Sequence, residues 1–434
     1  MTEVVATPPL ARERALKRSR TLSGAWLLSG ATVGSGVLAY VYHVLAARTL
    51  GPDAYGLVAV LWATMFLLVI VLFRPLEQTA SRAIANRVAR GDEVRTVLRA
   101  LLVIYGIVTA GILVAGAITW SIVRERLFLG DDLFVLALLI GLVAYGAAYL
   151  MRGICGGLHW FKGYGMLLLA DGGTRVAVAA PLVFVASRDL AAGAAAAAAV
   201  GSIALPVVAG RRLLRTAFAA GDGPPFGCSS AVAFALPAAV IAAADQVLVN
   251  GGPLLVMIGG GENASKLAGI VFAATMLVRI PVFIFQGLAT SLLPNLTRLH
   301  AHDEPALFRR AVLRAAGALA GCGAVIVLGA ATLGPATMEI VYGADYATGR
   351  LELALLGVGV GCYMATVTFS QALLALDRGT VAAVGWCAAA GVFLAVYAGV
   401  PGAALFRVAV AFAVATALAV FLLATTLARR VGRA

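Results

Sequence analysis

Four ionisable residues fall deep inside otherwise apolar stretches: Asp171, Arg175, Asp245 and Arg279. A charge in a hydrocarbon-facing segment is expensive, so each is a functional candidate from the outset. Asp171 and Arg175 are spaced i, i+4 and share a helix face. They form either a self-neutralising pair or one wall of a hydrophilic cavity. Arg279 sits in Met276-Leu277-Val278-Arg279-Ile280-Pro281-Val282 with no acidic residue within a turn. Its partner is either Asp245 on another helix or a bound anion. Pro281, next but one, removes a backbone donor and can bend the helix. Asn250, five residues after Asp245, either lines a cavity or makes an interhelical hydrogen bond.

Arg74, Glu77, Gln78 and Arg82 make a polar face at the end of an apolar stretch. They are either cavity residues or long side chains reaching the interface. Arg48 has the same ambiguity, and a lone His43 reads as packing or as a proton relay. Constellations for covalent chemistry are missing: the sequence holds no GxSxG, HExxH, P-loop or CxxC. The Gly-Gly pairs at 156–157, 172–173 and 251–252 lack the strand–helix context of a phosphate loop. No catalytic residue, metal ligand or cofactor is expected. The five cysteines are odd in number and unpaired at metal spacing, so they read as small apolar residues.

The elements that must position these residues are membrane spans. The chain is 62% hydrophobic and 12% charged with mean hydropathy +0.98, whereas soluble domains carry about 25% charged residues. About 20 apolar residues cross the hydrocarbon core as a helix. Candidate spans run over 22–47, 54–73, 97–122, 133–151, 164–187, 190–210, 229–258, 264–293, 311–337, 351–375, 380–399 and 402–427. Of the 33 Lys and Arg, 24 fall on one set of loops with their adjoining span ends and the two termini, six on the opposite loops and span ends, and three deep inside spans. Basic residues near helix ends stay cytoplasmic, so both termini are expected there. That distribution accounts for the net charge of +13, and no nucleic-acid surface is expected. No cleavable signal peptide is evident, since the first 21 residues are polar and basic and the first apolar run is long enough to span.

The loops are short, with the longest near 74–96 and 211–228, and leave no room for a soluble domain. Gly221, Gly223, Pro224, Pro225 and Gly227 mark the midpoint as a linker. A shift of 211 residues lays Ala63-Thr64-Met65 on Ala274-Thr275-Met276, Arg87 on Arg298, Asp92-Glu93 on Asp303-Glu304 and Arg99-Ala100 on Arg310-Ala311. The expected organisation is a basic cytoplasmic arm (1–21), a six-helix half (22–210), a cytoplasmic linker (211–228), a second six-helix half (229–428) and a basic tail (429–434). The fold class is therefore all-α integral membrane, with about twelve transmembrane helices in two pseudo-twofold-related halves. Parallel halves of this kind are a known transporter plan with the site between them. Without a nucleotide site, transport would draw on an ion gradient, the membrane potential or the substrate gradient.

Ala46-Ala47-Arg48-Thr49-Leu50-Gly51-Pro52-Asp53-Ala54-Tyr55-Gly56 resembles the stretch between the first two helices of bacterial polysaccharide flippases. These belong to the multidrug/oligosaccharidyl-lipid/polysaccharide exporter superfamily. Arg152-Gly153-Ile154-Cys155-Gly156-Gly157-Leu158-His159-Trp160-Phe161 resembles their segment after the fourth helix. Ser291-Leu292-Leu293-Pro294-Asn295-Leu296 resembles the segment closing the eighth, and Tyr342-Gly343-Ala344-Asp345-Tyr346 the loop after the ninth. The resemblance covers about residues 20–430.

The resemblance implies two six-helix halves around a central cavity that opens alternately to each side of the bacterial inner membrane. It implies an isoprenoid-diphosphate-linked oligosaccharide or polysaccharide repeat unit as substrate. Membrane lipids would surround the protein, and a glycan polymerase and glycosyltransferases would be working partners. Arg279 and Arg175 would meet the diphosphate, with Asp245, Asp171, Asn250, Arg48, Arg74 and Glu77 as further cavity residues. Lipid II flippases of the superfamily carry an Arg-Asp pair late in the first helix, where this chain has Tyr42-His43. The alternatives are a drug/cation antiporter of the same superfamily, which a cationic cavity disfavours, and a membrane enzyme of glycan polymerisation or ligation. The second would need catalytic groups that the external loops do not assemble.

Overall fold

The computed structural model describes residues 9–219, 228–282, 305–376 and 378–431. Among them there are helices and two short 3-10 turns and no strand. The helices are α1 (Pro9–Arg90), α2 (Arg95–Phe128), α3 (Asp132–Gly157), α4 (Phe161–Ala179), α5 (Arg188–Ala209), α6 (Arg211–Ala219), α7 (Cys228–Gly259) and α8 (Ala264–Val278). They continue as α9 (Pro305–Thr332), α10 (Gly334–Tyr342), α11 (Arg350–Ala375), α12 (Gly379–Gly399) and α13 (Ala404–Val431). Among the described residues, ten helices are long and apolar enough to cross a membrane, and α8 is a shorter apolar helix.

Helix α1 holds two of the expected spans. Gly51 breaks it at φ 70°, ψ 169°, a region that residues with a Cβ avoid. Pro52 follows, restarting the helix where a missing N–H matters least. The rings of Tyr42 and Trp62 stack with centroids 6.4 Å apart. Twenty residues of unbroken helix would separate them by about 30 Å, so the chain doubles back at Gly51 and its two arms lie side by side.

The second arm runs on to Arg90, well past the expected end at 73. The stretch expected as a long loop from 74 to 96 is helical except around Gly91–Val94, so Arg74 and Glu77 are borne on a rigid element. The expected linker likewise begins as a helix, α6; its glycines and prolines at 221–227 lie outside the described residues. The expected span 311–337 is divided at Leu333 between α9 and α10. The end of the expected eighth span, Arg298, Asp303-Glu304 and the segment Ser291–Leu296 also lie outside the described residues.

Helices α1, α3, α4 and α5 pack among themselves, as do α7, α8, α9, α11, α12 and α13. Helix α1 reaches across to α7 and α8. Glycines make the close approaches. A Cβ on Gly153 of α3 would meet the Ala80 Cβ at 2.6 Å and the Glu77 carbonyl at 2.7 Å. The Arg152-Gly153 motif thus lets α3 settle against the second arm of α1, as small residues do between membrane helices. Outward faces are apolar: in α2 only Val97, Leu98, Leu101 and Phe128 are buried, while Ile107 and Ile118 are exposed. Helices with apolar exteriors and internally paired backbones suit a hydrocarbon solvent.

Candidate functional site

Asp171 and Arg175 of α4 close on each other. Asp171 Oδ1 accepts from Arg175 Nη2 at 2.8 Å and from the Tyr145 hydroxyl of α3 at 2.6 Å, and Arg175 Nη2 also donates to Tyr145 Oη at 2.6 Å. The guanidinium lies 4.5 Å from the Trp62 ring centroid, and the arginine side chain is only 1% exposed. The two charges pair through Arg175 Nη2 inside the N-terminal helices, while Arg175 Nε is buried with no hydrogen-bond partner. His43 is fully buried beside them. Its Nδ1 lies 3.1 Å from the Tyr55 hydroxyl, and its ring packs on Trp62 and Phe272.

Arg279 does not bond Asp245. It sits at the C-terminal end of α8, and its Nη1 donates to the Val249 carbonyl of α7 at 3.1 Å. Inside a helix that carbonyl would accept from the amide four residues on, which is Pro253 and has no N–H. A buried carbonyl needs a partner, and Arg279 supplies it. The end of α8 also favours a cation, because unpaired carbonyls leave partial negative charge there.

Asp245 is held by neutral donors. Tyr363 of α11 donates to Oδ1 at 2.8 Å and Gln246 Nε2 to Oδ2 at 2.8 Å. Asn250 in turn donates to Gln246 Oε1 at 2.7 Å, as the i, i+4 spacing on α7 allows. Among the described residues Asp245 has no ion pair within 4.0 Å, yet Arg74 of α1 and Arg279 of α8 both act on it electrostatically.

Arg74 is the exposed cation of this region. Tyr149 of α3, Asp245, Glu77 and Tyr363 all lie within its electrostatic range, but none bonds it. An exposed side chain with two carboxylates from α1 and α7 and two phenols from α3 and α11 around it faces a space between the N-terminal and C-terminal helices. Arg152 of α3 adjoins it through Glu77. Its guanidinium stands 4.5 Å over the Tyr149 ring, and its Nε is buried with no hydrogen-bond partner. Glu77 accepts from the Tyr164 hydroxyl of α4 at 2.5 Å, which occupies one carboxylate oxygen with a neutral donor. The region therefore gathers the exposed Arg74 and the partly buried Arg152, whose Nε lacks a partner, beside two carboxylates held by phenols.

Arg48 stands elsewhere. Its Nε donates to the Val341 carbonyl at 2.8 Å, and its Nη2 bonds the Ile340 carbonyl. These are orphan acceptors at the end of α10, so Arg48 caps a helix from the other group of helices. Beside it, Tyr346 donates to the Ala47 carbonyl at 3.1 Å and Ser265 Oγ to the Asp53 carbonyl at 2.6 Å. Burial first, then the charges of Asp345 and Asp53, raise the Tyr346 phenol's pKa, so it stays a donor throughout the physiological range. This cluster joins the two groups of helices on the face opposite the basic loops.

Sequence reasoning brought together Asp171 with Arg175, paired Asp245 with Arg279, and named Arg74 as either a cavity or an interfacial residue. It missed Arg152 as a cavity group, and Tyr145, Tyr164, Tyr363 and Gln246 as hydrogen-bond partners. The signal for Arg152 was present in Gly153, whose close packing carries its neighbour against Glu77. No group of three or more metal-ligating side chains occurs among the described residues.

The sequence pattern of the family described as polysaccharide biosynthesis protein matches residues 21–300. An uncharacterised protein of Mycobacterium bovis is 29% identical over 357 residues, covering 80% of this chain and 78% of the relative. One from Mycobacterium tuberculosis is 28% identical over 372 residues, covering 81% and 82%. Among solved structures, the inward-facing conformation of a multidrug resistance MATE family transporter of the MOP superfamily superposes with TM-score 0.74 at 16% identity, over 92% of this chain and 95% of that one. A MOP superfamily transporter from Pyrococcus furiosus, described by the reverse polarity of its binding pocket, gives TM-score 0.63 at 14% identity over 94% and 95%. At such identities the likeness is one of fold.

Proposed function

The chain belongs to the polysaccharide biosynthesis protein family and has the fold of MOP superfamily transporters, and from that premise we propose that it translocates an isoprenoid-diphosphate-linked oligosaccharide or polysaccharide repeat unit across the bacterial inner membrane by alternating access. The head group crosses between the two groups of helices while the isoprenoid tail stays in lipid. The observation that carries this reading is the pair of arginines around Glu77: Arg74 is exposed and lacks an ion pair among the described residues, and Arg152 has a buried Nε with no hydrogen-bond partner. Two planar guanidinium groups suit a diphosphate, whose oxygens accept paired N–H bonds. The same charges repel a cationic drug.

In this reading Arg74 and Arg152 are the principal anion ligands, because Arg175 Nη2 is engaged by Asp171 and Tyr145 and Arg279 Nη1 by a backbone carbonyl. The test is transbilayer movement of a fluorescent isoprenoid-diphosphate oligosaccharide in proteoliposomes, with wild type beside Arg74→Gln and Arg152→Gln. Protein-dependent movement that falls about tenfold or more in each variant supports the reading, as expected for loss of a charge-assisted contact. Movement that is indifferent to both substitutions removes the arginines from the path. No movement with any glycan head group, in folded protein, removes the substrate class.

A further inference from the structure

The two in-span aspartates described above are built for opposite ends. Asp171 touches its arginine at 2.8 Å and is sealed from solvent. Asp245 has two arginines in range and touches neither. What holds it off is its pair of neutral donors, Tyr363 on one oxygen and Gln246 on the other. Gln246 is itself fixed by Asn250. The carboxylate is therefore held at a set place on α7, while the donors of Arg74 stay unfilled.

We propose that Asp245 is the resident counter-anion of this cavity: it offsets the field of Arg74 and Arg279 when the site is empty, competes with an arriving diphosphate, and so sets how readily that anion leaves. This rests on the flippase reading. The charged and titratable groups facing Asp245 are Arg74 from α1, Arg279 from α8 and Tyr363 from α11, with Glu77 and Arg152 beyond Arg74. In a partly desolvated space charges interact across several ångströms with little screening. A fixed negative charge there weakens every anion bound at Arg74 without blocking the arginine. An exporter needs that compromise, since a site that only attracts anions would never empty.

The consequence is that removing an acidic residue tightens binding and slows export. Asp245→Asn keeps the shape and the Tyr363 bond but deletes the charge. Asp245→Glu keeps the charge. Tyr363→Phe leaves the charge but frees the carboxylate to close on Arg74.

The experiment is calorimetric binding of inorganic diphosphate to the full chain in phosphatidylcholine nanodiscs, alongside translocation kinetics in proteoliposomes. Asp245→Asn is expected to bind about tenfold more tightly than wild type, with lower KM and lower kcat. Asp245→Glu is expected near wild type, and Tyr363→Phe weaker than wild type, which provides an independent arm if the asparagine variant fails to fold. Binding in Asp245→Asn that equals or falls below wild type overturns the proposal. If Arg74→Gln weakens binding while Asp245→Asn does not tighten it, the flippase reading stands and only the counter-anion role falls. If diphosphate binds no variant at all, Asp245→Asn included, both fall together.

Discussion

Arg279 stands in for the backbone donor that Pro253 lacks. Its guanidinium reaches from the end of α8 to the Val249 carbonyl at 3.1 Å, the acceptor that an ordinary residue at 253 would fill from within α7. One proline on one helix thus sets the orientation of an arginine on another. Removing the arginine alone leaves a buried carbonyl unpaired, at a cost of about 1–3 kcal/mol. Arg279→Met is expected to lower the thermal midpoint in detergent. Adding Pro253→Ala to it, which returns the missing amide, is expected to recover part of the loss. Strictly additive effects in that double-mutant cycle would refute the relationship.

Arg48 ties the two groups of helices together on the face opposite the basic loops, the face expected to be external from the charge asymmetry. Because the arginine is exposed, its bonds are modest, as the proposed alternating access would require of a gate. Arg48→Ala is expected to cost the closed arrangement about 1–2 kcal/mol, close to a tenfold change in the closed-to-open ratio. Spin labels on the exposed positions Asp53 and Asp345 would report it as a shift to longer distances. A distribution identical to that of Arg48 protein means the cap holds nothing closed.

Gly56 is required at the same seam. A Cβ there would lie 1.9 Å from the Ser265 carbonyl oxygen, and backbone cannot move aside as a flexible side chain does. Gly56→Ala is expected to separate α1 from α8 at a cost of about 1–3 kcal/mol. Hydrogen exchange over residues 260–265 should accelerate. Unchanged protection there contradicts the tight approach.

The Asp171–Arg175 pair is expected to be structural. Removing one partner strands a buried charge, and either Asp171→Asn or Arg175→Gln is expected to lose about 3–5 kcal/mol of stability. The double replacement Asp171→Leu with Arg175→Met is expected to recover most of it, read as thermal midpoints. In the folded fraction of the double variant, substrate KM should stay at the wild-type value. A raised KM would return these residues to the binding site.

Tyr164 keeps Glu77 from closing on its neighbouring arginines. Tyr164→Phe frees that carboxylate to pair with Arg152 or Arg74, so translocation KM is expected to rise about threefold to tenfold, the effect of one lost or competing hydrogen bond. The thermal midpoint should hardly move. A large fall in midpoint with unchanged KM would make the bond a packing element only.

Much of the scaffold was legible because apolar length and the distribution of Arg and Lys are local properties. The break near Gly51 could be read between two apolar runs, and the Asp171–Arg175 contact followed from i, i+4 geometry. The second arm of α1 extended past its expected end because the polarity of Arg74–Arg82 marks an interior or interfacial face as readily as a loop. Hydropathy cannot tell these apart. The division at Leu333 was hidden for a related reason: Leu333 is as apolar as its surroundings.

The sequence by itself determined a helical, membrane-embedded chain with few charges in its spans, since a hydrocarbon solvent leaves little freedom in length or composition. It also determined that Asp171 and Arg175 could meet, because one helix turn links them. Tertiary structure decided which arginine is open. Arg279 found a carbonyl freed by Pro253, Arg48 found the end of α10, and Arg74 found only charges it does not touch. Those outcomes depend on contacts between residues far apart in sequence, and a side chain's charge is the same whether it caps a helix, neutralises an aspartate or faces a cavity.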